Sequence, residues 1–295
     1  PKDYIYIYQF LKKQNVNAVC DFTGNFAGLV LLTAKLANVN KRISFYRGST
    51  NHFSESKLRL LYDKFVKKLT YKFATNILSN SIAAFDFFFT DIWRKDNRFE
   101  VIYNGIDSES FVNEKDNLRK ELKIPDDAFV VGHTGRYNRA KNHKTIIKVA
   151  FELCEKHKDI YFLLCGNDVK DNLEEVIKKK QFQDRIITLN NRTDIPKVLK
   201  TLDCYYFPSL TEGQPNALIE AMVMNLPIVT SNIAPIQESV PDFFQEVLVS
   251  PESVNQAIDK ILQVYTSRNY HQLGKWAIEK YDHKLLFEQF FNVLH

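Results

Sequence analysis

Residues 211–222 read TEGQPNALIEAM, and this stretch combines two carboxylates with the start of a helix. Pro215 favours the first turn of a helix, because its φ is already helical and its missing N–H costs nothing there. The residues that follow are good helix formers. The pattern therefore predicts a helix over residues 215–224, with Glu212 in the loop before it and Glu220, eight positions later, on the helix itself.

The start of this helix is suited to bind an anion. The backbone N–H groups of Asn216, Ala217 and Leu218 have no acceptor within a helix and lie at its positive end, so a phosphate is the natural ligand. The preceding run CYYFPS, residues 204–209, reads as a buried strand, and open α/β sheets bind ligands at the carboxyl ends of their strands. The pattern alone also allows an ordinary strand–loop–helix unit with two solvated glutamates.

Composition places the chain among ordinary globular proteins. Its 295 residues predict two domains, and 45% hydrophobic with 25% charged residues is typical of a soluble fold. The net charge of +5 fits anionic substrates or a membrane surface better than nucleic acid. The four cysteines lack CxxC or metal-ligand spacing, which predicts buried, reduced thiols and a cytoplasmic protein.

Strands and helices alternate along the whole chain, which indicates βαβ units and parallel sheets. The first half contains predicted strands at residues 18–22, 42–46, 75–78 and 99–103, and predicted helices at 3–13, 26–36, 55–71 and 81–90. The second half contains predicted strands at residues 129–134, 161–165, 185–189, 204–207 and 227–230, and predicted helices at 143–157, 169–180, 195–201, 215–224, 253–265 and 285–294. Residues 107–117 are polar and are predicted to form an inter-domain loop, and Asn225 is predicted to end its helix in the left-handed conformation.

A basic loop follows the first strand of the second half. Residues 135–141 read GRYNRAK, in which Gly135 gives the backbone room to turn and to approach a ligand. Arg136 is suited to the paired oxygens of a phosphate, and Lys141 to a single contact. Together with the amides at the start of the helix, these two cations are predicted to hold a diphosphate without a metal ion.

The segments GRYNRAKNH and NNRTDIPKVLKTLDCYYFPSLTEGQPNALIEAM resemble the donor domain of the family-four retaining glycosyltransferases. That resemblance implies the GT-B fold, an α/β architecture of two Rossmann-like parallel-sheet domains. The implied division is an acceptor-side domain over residues 1–106, completed by a C-terminal helix over 283–295, and a donor-binding domain over 107–282. The two domains are expected to meet at a cleft near residues 104–107, where YNGID resembles the family's inter-domain junction.

The resemblance also implies roles for individual residues. In the family, two glutamates with seven residues between them and an Arg–Lys pair bind the nucleotide diphosphate sugar, and these correspond here to Glu212, Glu220, Arg136 and Lys141. Glu220 is expected to hold the ribose hydroxyls, and Glu212 to lie by the transferred sugar. Catalytic roles are assigned to Glu212, Arg136 and Lys141. The base is expected to lie near Asn191, Arg192 and Thr193. The residues expected to bind the donor are Gly135, Asn191, Arg192, Thr193, Gly213, Gln214, Pro215, Asn216, Ala217, Leu218 and Glu220.

The first half departs from the family's pattern. Where the family often has a histidine near the donor sugar, the chain reads CDFTGN with Phe22, and a second such place reads FYRGS with Arg47. The family's first strand and Gly-rich acceptor loop have no counterpart before Asp3, so a truncated N-terminal domain is expected. On the acceptor side, Gly24, Asn25 and Arg47 are the candidate residues. A non-catalytic relative of the family is the alternative interpretation.

Other sites are not supported by the sequence. No GxGxxG, GxxxxGK[ST] or GxSxG motif occurs, and His133, His143 and His157 lack metal-ligand spacing. His143, at the start of a helix, is predicted to be a surface residue. Residues 54–73 interleave six basic residues with apolar ones. They are interpreted as an ordinary amphipathic helix with a solvated basic face, with an anionic lipid surface as the alternative.

The predicted activity is therefore transfer of a hexose or N-acetylhexosamine, with retention, from a nucleotide diphosphate sugar, preferentially a UDP-sugar. The predicted acceptor is a saccharide or lipid-linked sugar of cell-surface polysaccharide synthesis. No cofactor, metal ion or nucleic acid is expected. The protein is expected in the cytoplasm, where the inner face of an anionic membrane is a further predicted partner. The alternatives are a nucleotide-sugar-binding partner subunit without catalytic activity and a nucleotide-sugar epimerase of the same fold.

Overall fold

A computed structural model of the chain describes residues 2–50, 56–267 and 270–295. The chain divides into two compact units. The first unit comprises Pro1–Gly105 together with Lys284–His295, and the second comprises Ile106–His283.

The first unit contains a four-stranded parallel sheet in the order β1-β2-β3-β4. Its strands are β1 (Ala18–Asp21), β2 (Lys41–Tyr46), β3 (Asn76–Ser79) and β4 (Phe99–Val101). Its helices in this part of the chain are α1 (Lys2–Lys13), α2 (Gly28–Leu36), α3 (Lys57–Phe73) and α4 (Ile82–Phe89), with single 3₁₀ turns at Gly24–Ala27 and Trp93–Lys95. In register, Ala18 lies opposite Lys41, Ile43 opposite Asn76, and Ile77 opposite Phe99.

The sequential strand order explains where the helices of this sheet pack. Right-handed crossovers that all advance in the same direction place their helices on one face of the sheet. That face carries Tyr46 and Ile77, which pack against Leu31 of α2 and Phe85 of α4. Hydrophobic burial on this face therefore comes from the crossover helices themselves.

The second unit contains a five-stranded parallel sheet in the order β7-β6-β5-β8-β9. Its strands are β5 (Phe129–Thr134), β6 (Ile160–Cys165), β7 (Ile186–Leu189), β8 (Cys204–Phe207) and β9 (Ile228–Thr230). Its helices are α5 (Ser108–Val112), α6 (His143–Lys156), α7 (Val169–Lys179), α8 (Ile195–Lys200), α9 (Asn216–Val223), α10 (Ala234–Ser239), α11 (Val254–Ser267) and α12 (Gly274–Lys280), with a 3₁₀ segment at Asp242–Val247.

The last helix, α13 (His283–Leu294), packs against the other face of the first sheet. There Phe290, Val293 and Leu294 contact a buried cluster of Ile43, Phe45, Leu78 and Ile102. The Lys41 ammonium also donates to the Val293 carbonyl oxygen at 2.9 Å. The C-terminal helix thus covers apolar side chains that the crossover helices cannot reach.

The strand order of the second sheet reverses between β5 and β8. From β5 the sheet extends through β6 and β7 in one direction and through β8 and β9 in the other. All six residues of β5 are buried, as expected for a central parallel strand. A reversal of this kind opens a crevice at the carboxyl ends of the two central strands, where α/β sheets bind ligands.

The predicted fold class is confirmed, and the nine strands of the two sheets lie close to the predicted ranges. Asn225 has a φ of 57°, as predicted, and its side-chain oxygen accepts the Gly274 N–H at 3.0 Å. The prediction of a loop over residues 107–117 is wrong at α5, and α10 and α12 were not predicted. These helices are short, so tertiary contacts rather than an apolar period stabilise them. No helix in the described ranges combines the length and apolar character needed to cross a membrane.

Candidate active site

Two loops meet at the reversal point of the second sheet. Residues 135–141 follow β5 and residues 208–215 follow β8. The Leu210 N–H donates to the Ala140 carbonyl oxygen at 2.8 Å, and the Asn142 side-chain amide donates to the carbonyl oxygens of Pro208 at 3.2 Å and Pro251 at 2.7 Å. These bonds bring together two segments that lie far apart in the sequence.

The loop after β5 also lies directly against the turn after β6. The Gly135 N–H donates to the Cys165 carbonyl oxygen at 2.9 Å, and the Tyr137 N–H donates to the Asn167 carbonyl oxygen at 2.8 Å. A Cβ atom on Gly166 would lie 2.1 Å from the Gly135 carbonyl oxygen, a distance that no side chain tolerates. Glycine at position 166 is therefore what allows the basic loop to approach this closely.

Lys141 and Glu212, both predicted site residues, form an ion pair at this junction. The Lys141 Nζ lies 2.7 Å from Glu212 Oε1, and the side chains are only 17% and 11% exposed. The ammonium also lies 4.6 Å from the centre of the Phe207 ring, which adds a cation–π contact. Because Glu212 already neutralises Lys141, an incoming anion must share this lysine with a carboxylate.

Arg136 lies at the start of the same loop and is exposed. It makes no ion pair with any residue in the described parts of the chain. An exposed guanidinium keeps its hydration and retains all of its donors for a ligand. The structure therefore brings one paired and one unpaired cation to the carboxyl end of β5.

The start of α9 differs from the prediction. The helix begins at Asn216, with Pro215 at the position before it. The Asn216 N–H donates to the Gln214 carbonyl oxygen at 3.0 Å, and the Leu218 N–H donates to the Pro215 carbonyl oxygen at 2.9 Å. The prediction of three unpaired amides is therefore wrong for two of them, because a tightened first turn supplies their acceptors. Among the three, the Ala217 amide makes no backbone bond within the described structure.

Glu220 lies on α9 and is largely screened from solvent. Burial raises its pKa to about 7, and the nearby Lys141 charge partly offsets this rise. The two glutamates of the motif therefore have different environments: Glu212 is paired with a lysine, whereas Glu220 forms no ion pair among the described residues. Near neutral pH, Glu220 is present in both its protonated and ionised forms.

The segment expected to lie near the base follows β7, on the same edge of the sheet. Within it the Arg192 guanidinium makes two bonds to the Asp194 carboxylate, each at 2.8 Å, and a third to Glu121 at 3.2 Å. Asn191 and Thr193 on either side are exposed. Arg192 thus anchors the segment through acidic side chains of the protein.

Two buried histidines lie beneath the basic loop, and the prediction that His143 is a surface residue is wrong. His143 is 2% exposed and His133 is fully buried, with their rings 5.1 Å apart and perpendicular. The chain turns through a left-handed Asn142 and places the Tyr137 ring 5.0 Å from His143, which covers the start of α6. The sequence signals the burial of His133 only, because this residue lies within the apolar run FVVGHT.

Both histidines are neutral. Burial lowers the pKa of His143 to about 4 and holds that of His133 well below its ordinary value. His133 Nδ1 lies 3.0 Å from the Tyr206 carbonyl oxygen, so this nitrogen carries the proton and Nε2 is left as an acceptor. A Cβ atom on Gly135 would lie 3.0 Å from that Nε2, which shows how closely the loop covers the ring.

The predicted acceptor-side residues lie together in the first unit. Gly24 has a φ of 59°, a left-handed conformation that favours glycine, and Asn25 is buried beside it. Both residues line one pocket with Arg47 and Phe22. In the described ranges, no group of three or more His, Cys, Asp or Glu side chains is placed to hold a metal ion.

Comparison with known proteins gives consistent matches. A family profile described as "Glycosyl transferases group 1" matches residues 114–280, more than half of the chain. The Escherichia coli UDP-Gal:alpha-D-GlcNAc-diphosphoundecaprenol alpha-1,3-galactosyltransferase is 27% identical over 284 residues, which cover 93% of this chain and 73% of that protein. The Staphylococcus aureus capsular polysaccharide biosynthesis glycosyltransferase CapH is 27% identical over 270 residues, 89% of this chain and 72% of that protein.

Other matches cover less of the related protein or show fold similarity. The Escherichia coli O-antigen biosynthesis glycosyltransferase WclY is 32% identical over 135 residues, 45% of this chain and 37% of that protein. The chain thus spans between about a third and three quarters of these relatives. Anabaena HepE, solved with UDP-glucose, superimposes with a TM-score of 0.80 at 20% identity over 99% of this chain and 81% of HepE, which shows a shared fold.

We expect Glu220→Gln to make stability less dependent on pH. The folded-state pKa of about 7 lies above the ordinary 4.5, so unfolding releases a proton between these values and the wild type loses stability as pH rises through this window. The upper limit is about 1.4 kcal/mol per pH unit. The free energy of unfolding, measured with urea from pH 5 to 8, should change less with pH in the variant than in wild type. The exposed control Glu175→Gln should show the same pH dependence as wild type. Parallel curves for wild type and Glu220→Gln would contradict the assignment.

Proposed function

The chain belongs to the glycosyl transferases group 1, and from that premise we propose that it transfers a hexose or N-acetylhexosamine from a nucleotide diphosphate sugar to a saccharide or lipid-linked acceptor. The observation that carries the proposal is the junction at the reversal point of the second sheet. There Lys141 contacts Glu212 at 2.7 Å, Arg136 lies in the same loop as Lys141, and Glu220 lies on α9, the helix that follows the loop of Glu212. Cations for a diphosphate and carboxylates for sugar hydroxyls are thus combined in one place.

The names of related proteins support a UDP-sugar donor and a role in cell-surface polysaccharide synthesis. The Escherichia coli galactosyltransferase is named for UDP-Gal, and HepE was solved with UDP-glucose. CapH and WclY are named for capsular polysaccharide and O-antigen biosynthesis. We therefore favour UDP among the nucleotides, with a growing surface glycan as the destination of the sugar.

Charge on the leaving diphosphate would be stabilised by the two cations at the carboxyl end of β5 and by one amide of α9. Arg136 offers paired donors from the loop surface, and Lys141 is held in place by Glu212 and Phe207. The Ala217 amide at the start of α9 supplies a third donor at the positive end of a helix. Donors that are in place before the reaction stabilise developing charge without reorganisation, which is usually the largest catalytic contribution.

The two glutamates would act at different parts of the donor. Glu220 would accept hydrogen bonds from the ribose hydroxyls, an interaction present before and during the reaction. Glu212 would orient the transferred sugar and stabilise positive charge at an oxocarbenium-like centre, with retention of the anomeric configuration. It is not proposed as a covalent nucleophile, because its carboxylate is bound to Lys141 at 2.7 Å.

We place the protein in the cytoplasm, bound peripherally to an anionic membrane surface. The support comes from α3, which exposes both basic and large apolar side chains. Leu58 is 82%, Leu61 64% and Phe65 54% exposed, on a helix that also carries Lys57, Arg59, Lys64 and Lys68. An amphipathic helix of this composition binds anionic lipid headgroups while its apolar side chains enter the interface.

The proposal is tested with a panel of nucleotide sugars. A donor that binds the folded state raises its melting temperature by mass action, and UDP-sugars are expected to raise it more than GDP- or ADP-sugars. Transfer to an acceptor, detected by mass spectrometry, then separates a transferase from a non-catalytic binding subunit. A converted nucleotide sugar without transfer would instead indicate an epimerase.

We expect Arg136→Ala to weaken UDP binding by about 1.5–3 kcal/mol, the contribution of a charge-assisted hydrogen bond. Uridine, which lacks phosphates, should bind the variant as it binds wild type. Arg139→Ala, in the same loop and also exposed, is the matched control. Lys141→Ala should show the same selective loss together with lower stability, because it leaves the Glu212 carboxylate unpaired. Calorimetry that shows equal losses for UDP and uridine would refute the phosphate assignment.

Glu212→Gln and Glu220→Gln should separate kinetically. Glu212→Gln is expected to lower kcat by about 10²–10³, the effect of losing one preorganised electrostatic contact. Donor affinity should not fall, because Lys141 is then released for the diphosphate. Glu220→Gln should raise the KM for the donor with little change in kcat, since it removes uniform binding. Steady-state kinetics at several donor concentrations distinguish the two; the same pattern from both variants would contradict separate roles.

We expect transfer to persist in the presence of a chelator. Arg136, Lys141 and the Ala217 amide provide the donors that a diphosphate needs, so a divalent ion is not required to offset its charge. Initial rates would be measured with EDTA, and again after addition of manganese or magnesium. Activity that disappears with EDTA and returns with manganese would show that this arrangement of cations is insufficient.

A further inference from the structure

A pocket in the first unit contains an acidic residue that the sequence did not indicate. The pocket has a volume of about 210 Å³ and lies where the chain leaves β1 and β2, beside α3. Its lining includes Phe22, Asn25, Phe26, Arg47, Asp63 and Phe88. Asp63 comes from α3, outside both loops that carry the predicted acceptor-side residues.

The Asp63 carboxylate is held in a fixed orientation. The Asn25 side-chain amide donates to both of its oxygens, at 3.1 and 3.3 Å. The buried Tyr46 hydroxyl donates to Asn25 Oδ1 at 2.9 Å, and this bond determines which end of the Asn25 amide faces Asp63. A carboxylate has about four acceptor positions, and one amide group occupies only part of them. Asp63 therefore retains acceptors for a ligand in the pocket.

Arg47 supplies the opposite charge at the same pocket. Its side chain is exposed and makes no ion pair with Asp63 or with any other residue in the described ranges. Its guanidinium is suited to phosphate oxygens. A ligand with hydroxyl groups at one end and a phosphate at the other would thus satisfy both charged groups.

Aromatic rings form part of the remaining lining. Phe22, Phe26 and Phe88 contribute apolar surface, and Phe22 is held by ring contacts with Phe45 at 5.2 Å and Phe290 at 6.2 Å. A sugar ring presents C–H bonds on its faces and hydroxyl groups around its edge. Aromatic walls with a few oriented polar groups are what binding sites for such amphipathic rings require.

We propose that this pocket binds a glycosyl phosphate, with the sugar hydroxyls on Asp63 and the phosphate on Arg47. The inference rests on the proposed function, because the bound sugar would be the acceptor of the transfer. Of the two acceptor classes, a simple saccharide and a sugar linked through phosphate, the proposal favours the second. Asp63 becomes a determinant of acceptor binding, oriented by Asn25 and Tyr46.

The test compares two soluble probes, N-acetylglucosamine 1-phosphate and methyl N-acetylglucosaminide, by ligand-observed NMR titration. Wild type should bind the phosphate at least about tenfold more tightly, as expected for one charge-assisted contact. Arg47→Gln should remove that preference without changing glycoside binding. Asp63→Asn should weaken the glycoside about tenfold at an unchanged melting temperature. Arg139→Gln and Asp91→Asn are the matched controls.

Specific results would overturn the inference. Equal affinity of wild type for the two probes removes the phosphate assignment, and unchanged glycoside binding in Asp63→Asn removes the hydroxyl assignment. If Asp63→Asn lowers the melting temperature, Asp63→Glu replaces it, since this variant keeps the charge but displaces the carboxylate. UDP binding is measured in parallel, so that failure of the proposed donor site is seen separately from failure of this pocket.

A lipid-linked sugar and a free sugar phosphate share this chemistry. N-acetylglucosamine diphosphate carrying a phenoxyundecyl chain distinguishes them when it competes with the soluble sugar phosphate. Tighter binding of the lipid form supports a lipid-linked acceptor, and equal binding supports a free sugar phosphate. Failure to compete would contradict a site for phosphate-linked acceptors.

Discussion

The close approach of two backbone segments at Gly135 and Gly166 is the constraint on which the candidate donor site depends. The reversal of strand order between β5 and β8 brings their following loops to one edge of the sheet. The basic loop can use that edge only because no Cβ atom at position 166 meets the Gly135 carbonyl oxygen. With the loop seated there, Lys141 reaches Glu212 and Arg136 remains on the surface.

The two glutamates of the motif, which look alike in the sequence, have different electrostatic environments. The two glutamates of the motif share one nearby lysine, which pairs directly with Glu212. Glu220 is buried, which raises its pKa to about 7, and the Lys141 charge offsets only part of this rise. Two carboxylates eight positions apart thus lie in different environments, one paired with a lysine and one buried without an ion pair among the described residues. A carboxylate whose pKa is raised by burial, beside a specific charge partner, is typical of functional sites.

Sequence reasoning succeeded where a repeating pattern existed. Apolar strands such as β5 and β8, and the left-handed Asn225, follow from local preferences that act within a few residues. It failed where the outcome depended on tertiary contacts. His143 is buried because a loop folds back over the start of its helix. Asp63 lines the pocket of the first unit because α3 packs beside the turn at Asn25. Neither contact has a signature in the spacing of residues. The same is true of the tightened first turn of α9, which supplies acceptors for the Asn216 and Leu218 amides.

The buried histidines show what this arrangement costs. Leaving a buried polar atom without a partner costs about 1–3 kcal/mol, and His133 and His143 together bury three ring nitrogens without a hydrogen-bond partner in the described structure. An aromatic hydrocarbon ring would fill similar space without that penalty. A charged ring is also excluded, since protonating either histidine would place a second cation near Lys141 in a region with little solvent. Neutral imidazoles therefore provide a polar but uncharged floor beneath the basic loop, so that Lys141 and Arg136 remain the groups that determine its attraction for an anion.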